Sequence, residues 1–82
     1  MYDNMNLEKI KSILRRKAMY EGKRELTINI AEIARELNCS QNEAKRLLDY
    51  LYNSNEIKKP IGFLGDEYNV TIRENSSILK NI

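Results

Sequence analysis

The chain has 82 residues, room for one small domain. Hydrophobic residues make up 41% and charged residues 32%, which excludes a disordered tail, and no apolar run approaches the ~18–20 residues a bilayer span needs. The formal net charge of +2 is too small to name a partner by itself, and a lone Cys39 with no His excludes an internal disulfide and argues against a zinc site within the chain. Residues 1–5 hold no basic region followed by an apolar stretch, so no secretory leader is expected; the expected setting is cytoplasmic, with no membrane association and no cofactor.

In chain order, Leu7, Ile10, Ile13, Leu14, Ala18 and Tyr20 recur at helical spacing and predict a first helix over about 6–20, closed by Gly22. Between positions 7 and 24 seven basic residues (Lys9, Lys11, Arg15, Arg16, Lys17, Lys23 and Arg24) face two acids, Glu8 and Glu21. That bias reads equally as a solvated helix face or as a footprint for a polyanion. Leu26, Thr27 and Ile28 suit a minimal strand.

Asn29 followed by Glu32 is a capping box, and Ile30, Ile33, Ala34 and Leu37 form the apolar stripe of a two-turn helix over about 30–37. Asn38 can take the left-handed conformation that ends it. Ser40 and Glu43 form a second capping box, and Ala44, Leu47, Leu48 and Leu51 mark the buried face of a helix reaching about 53. Two short helices joined by a three-residue turn have the form of a helix-turn-helix. Residues 57–61 read as a short strand made edge-like by Pro60, residues 62–67 as a turn, and 68–72 as a returning strand. The tail, 74–82, can add a short helix capped by Ser76 or Ser77, or fray.

Residues 27–72, and above all the stretch TINIAEIARELNCSQNEAKRLLDYLYNSNEIKK, resemble the winged helix-turn-helix superfamily of DNA-binding domains. Asn38 and Asn55 stand where those proteins usually carry Gly, and Cys39 occupies a small apolar position that packs into the core. The resemblance implies a mainly α, α+β fold: three helices with a two- to three-stranded β wing, in a single domain over 1–82. The helix-turn-helix falls at about 30–53, the wing at about 57–73 and the tail at 74–82. One departure is the acidic wing turn, Asp66 and Glu67, where wings that touch DNA often carry Arg or Lys. A branch that binds Z-form duplexes carries Asn and Tyr where Lys45 and Asp49 stand, so the likeness does not extend to it.

On a helical wheel Asn42, Arg46, Asp49 and Asn53 lie opposite the apolar stripe, with Lys45 on the flank. In a helix-turn-helix the N-terminal part of the second helix enters the major groove. The resemblance thus implies Ser40, Gln41, Asn42, Lys45 and Arg46 as DNA-binding residues, with Arg35, Lys58 and Lys59 as backbone contacts. Arg can pair bidentately with guanine, and Asn or Gln with adenine. The plainer reading is a wet helix face on which Asp49 pairs with Lys45 or Arg46. Nothing resembles a catalytic set, so no enzyme is expected. The expected function is sequence-specific double-stranded DNA binding by a small transcriptional regulator, possible as a homodimer through the first helix or the apolar tail residues Ile78, Leu79 and Ile82. The alternative is a winged helix that docks onto protein in a larger assembly.

Overall fold

A computed structural model describes residues 4–80 of the chain. The described residues form a small mixed α+β domain in the order α1 (Asn4–Glu21), β1 (Glu25–Asn29), α2 (Ile30–Leu37), α3 (Gln41–Asn53), β2 (Ile61–Leu64), β3 (Glu67–Thr71) and α4 (Ser77–Lys80). The three strands make an open antiparallel sheet in the order β1-β3-β2. The inward residues of the helices and of β1 and β3 meet in one core. Leu7, Ile10 and Leu14 come from α1, Ile30, Ile33 and Leu37 from α2, and Ala44, Leu47, Leu48 and Leu51 from α3. Leu26, Ile28 and Val70 come from the sheet, with Ile57, Ile72 and Ile78 beside them.

Local chemistry fixes the connections. α1 ends at Gly22, whose φ of 68° lets its N–H and that of Lys23 return to the Ala18 carbonyl, at 2.8 and 3.2 Å. Asn29 caps α2, its Oδ1 accepting from the Glu32 N–H at 3.0 Å, and Ser40 caps α3 by accepting from the Glu43 N–H at 3.1 Å. Between them Asn38 is left-handed (φ 56°, ψ 47°), and the Cys39 N–H reaches back to the Ala34 carbonyl at 3.0 Å. The turn therefore closes without glycine, because Asn tolerates this region better than other L-residues.

Several expectations need correction. Tyr20 is almost wholly exposed and takes no part in the apolar stripe of α1. The second strand lies at Ile61–Leu64, not 57–61, and the turn shrinks to Gly65 and Asp66. Pro60 has no N–H to give to a ladder, so regular pairing begins after it; upstream, Ile57 makes only an isolated bridge with Ile72. All four residues of β2 are exposed, so its apolar members carry no signal of a buried face. The tail does form a helix, capped by the Ser76 Oγ accepting from the Ile78 N–H at 3.0 Å. Ile78 is fully buried within the domain, so it cannot serve a dimer surface; Ile82 lies outside the described residues.

Candidate nucleic-acid interface

α3 is held by one face only. Ala44, Leu47, Leu48 and Leu51 are buried in the common core, where α3 packs on α2, whereas Gln41, Asn42, Lys45, Arg46 and Asp49 are exposed. Five polar side chains with three different hydrogen-bonding patterns thus stand on the outer surface of a capped, rigidly seated helix. Its first turn also offers N–H groups that the helix itself does not use.

The side chains are not equally free. Ser40 Oγ is engaged in the cap. Arg46 lies 3.8 Å from Glu43 across one turn, with its side chain 70% exposed. Such a pair contributes only ~0.2–0.5 kcal/mol and yields readily to a better acceptor. Lys45 and Asp49 border a shallow depression of about 160 Å³ with Leu48, Pro60 and Tyr68, so the hairpin flanks the outer side of α3. Tyr68 and Pro60 are neighbours of this surface that sequence pattern does not reveal, since they lie on a strand and a loop with no helical period. Arg35 is exposed on α2.

The two hairpin lysines part company. Lys59 is exposed one residue before Pro60. Lys58 lines a different concavity with Arg24 and Arg73, at the end of the sheet remote from the β2–β3 turn. The structure therefore does not bring Lys58 together with Gln41, Asn42 and Lys45. The basic stretch of α1 is also less open than its composition suggests. Lys11 approaches Glu8 at 3.9 Å and Glu56 at 3.8 Å, Arg16 lies 4.0 Å from Glu36, and Lys17 lies 3.6 Å from Glu21.

The acidic turn is partly occupied within the fold. Glu67 accepts from Asn29 Nδ2 at 2.8 Å, and the Asp66 carbonyl accepts from the Ile30 N–H at 2.8 Å. These bonds tie the hairpin turn to the start of α2. The adjoining strand exposes Ile61 (62%), Phe63 (49%) and Leu64 (69%). Cys39 packs partly against the core. Burial, and then the Glu43 carboxylate, push its thiol pKa up, which disfavours the reactive thiolate. Among the described residues no group of three or more His, Cys, Asp or Glu could hold a metal, and no helix is long and apolar enough to cross a membrane. No protein family, characterised protein or solved structure matches the chain on comparison of sequence or fold.

Proposed function

We propose that the chain is a winged helix-turn-helix protein that binds double-stranded DNA in a sequence-specific way, with the first half of α3 in the major groove, and acts as a small transcriptional regulator. The observation that carries this reading is the outward display of Gln41, Asn42, Lys45 and Arg46 on a helix capped by Ser40 and seated on α2. Arg46 supplies a two-donor fork for guanine, and Gln41 and Asn42 supply a donor and an acceptor each for adenine. Lys45, Lys59 and Arg35 supply charge for phosphates, which fixes register without reading sequence. Selection from a random duplex library tests the reading: it should enrich a short motif bound more tightly than scrambled DNA. Enrichment of no motif, with binding no tighter than micromolar at low salt, would sink it.

A second reading, docking onto a protein partner, is favoured by one observation. Ile61, Phe63 and Leu64 expose apolar surface beside the acids Asp66 and Glu67, a combination that suits a protein surface better than a phosphate backbone. Salt separates the two, because phosphate contacts release counterions and apolar docking does not.

A further inference from the structure

We propose that the concavity at the sheet end remote from the β2–β3 turn binds a phosphoryl dianion, as free phosphate or as a small phosphate monoester. Its walls are Arg24, Asn55, Lys58, Arg73, Glu74 and Asn75, around a space of about 440 Å³. That volume falls within the ~300–1,000 Å³ of small-molecule sites.

The topology gathers these residues. Glu25 pairs with Thr71, so Arg24 just before β1 and Arg73 just after β3 share one end of the sheet. The Lys58 N–H donates to the Thr71 carbonyl at 2.9 Å and brings its side chain to the same place. Three cations thus line one small space with a single carboxylate, Glu74. Among the described residues no carboxylate lies within 4.0 Å of any of the three, so none is held in an ion pair that a ligand would have to displace. Three cations against one carboxylate leave an excess of positive charge that costs stability, and a dianion offsets it.

The donors are also oriented. Arg24 Nη1 donates to the Ile72 carbonyl at 3.2 Å, and Arg73 Nε donates to the Ile57 carbonyl at 3.4 Å. Each guanidinium uses one donor on the backbone and keeps four, in the planar array that suits a tetrahedral oxyanion. Asn55 and Asn75 add carboxamide donors. The nearby C-terminus of α3 would repel an anion if its carbonyls were bare. Of its last four, those of Tyr50, Leu51 and Tyr52 are taken by the N–H groups of Ser54, Glu56 and Asn55, at 2.9, 2.9 and 3.1 Å, which reduces that repulsion. A compact ligand fits this better than a duplex does, because the cations converge on one cup and do not form a strip. The cup adjoins the end of α3 opposite Gln41 and Asn42, so it stands whether or not α3 binds DNA.

Titration of the isotope-labelled full chain at constant ionic strength tests this, with inorganic phosphate, adenosine 5′-monophosphate and adenosine as probes, followed by backbone-amide shifts. Saturable shifts at Arg24, Asn55, Lys58, Arg73 and Asn75 are expected with both phosphates and not with adenosine. Tighter binding of the monophosphate would identify an ester as the ligand; equal affinity would identify the free ion. Lys58→Gln should weaken binding ~10-fold, the worth of one charge-assisted hydrogen bond. Its melting temperature without ligand should not fall and should rise slightly, because the Lys58 side chain has no acidic partner within 4.0 Å among the described residues and its removal relieves repulsion from Arg24 and Arg73. Shifts that fail to saturate by ~10 mM, that sodium chloride reproduces, or that persist undiminished in Lys58→Gln would overturn the proposal.

Discussion

Glu56 and Ser77 are joined twice. One carboxylate oxygen accepts from the Ser77 N–H at 2.7 Å and the other from the Ser77 hydroxyl at 2.6 Å. Ser76 Oγ donates to the same carboxylate at 2.8 Å, and Lys11 Nζ stands 3.8 Å away. One side chain thereby ties the end of α3, the start of α4 and the middle of α1 together. Burial by itself would raise the Glu56 pKa, but the hydrogen bonds from Ser77 and Ser76 and the charge of Lys11 outweigh it and hold the carboxyl below the usual glutamate range.

Glu56→Gln should therefore lower stability at neutral pH by ~1–3 kcal/mol, a drop of several degrees or more in melting temperature for a domain of this size. The sign of the pH dependence follows from a lowered folded-state pKa. The stabilisation is complete above the unfolded-state value and is lost as pH falls through the folded-state value. Thermal melts from neutral pH down to ~3 should show wild type and Glu56→Gln converging as the carboxyl protonates, at and below the ordinary carboxylate range. Curves that stay parallel would show that the ionised carboxylate is not what holds α4.

Leu48 is 2% exposed and packs from α3 into the core. Leu48→Ala should cost ~2–5 kcal/mol, close to the whole stability of a small domain. Chemical denaturation reads this directly. An unchanged midpoint would mean that α3 is not seated by its apolar face.

At the turn between α2 and α3, Asn38→Gly should be close to neutral, since Asn38 has a φ of 56° and glycine accepts that region freely. Asn38→Ala should destabilise by ~1–2 kcal/mol, because an ordinary L-residue is strained there. The ordering of the two variants in thermal melts is the test, and Ala at or above Gly would contradict the turn geometry.

Cys39 should react slowly with iodoacetamide at neutral pH, and much faster once the chain is unfolded, because burial and Glu43 disfavour its thiolate. Equal rates in native and denatured protein would show the thiol to be open to solvent.

How far the fold is legible in the sequence depends on the range of the interaction. The caps of α2 and α3 are readable because cap and partner are three residues apart, and the left-handed turn because Asn38 is one of the few residue types that tolerate it. The Glu56–Ser77 link is not, since its partners are 21 residues apart and neither type signals the other. The start of β2 escapes because alternation presumes a buried face, and Ile61, Phe63 and Leu64 have none. For the candidate interface, the outward face of α3 follows from helical period alone. The gathering of Arg24, Lys58 and Arg73 requires knowing that β1 pairs with β3, which no local pattern contains.

The central claim, that α3 reads base edges, is tested most directly by fluorescence anisotropy on Arg46→Ala and Asn42→Ala, each against a selected duplex and a scrambled one. Bidentate base contacts carry ~1–3 kcal/mol of discrimination each, so each variant should lose roughly 5- to 100-fold on the selected site and little on the scrambled one. Lys59→Ala should by contrast weaken both duplexes alike and make the salt dependence shallower by a slope of ~0.9, the share of a single neutralised phosphate. If Arg46→Ala and Asn42→Ala weaken both duplexes equally, or neither, α3 does not read DNA.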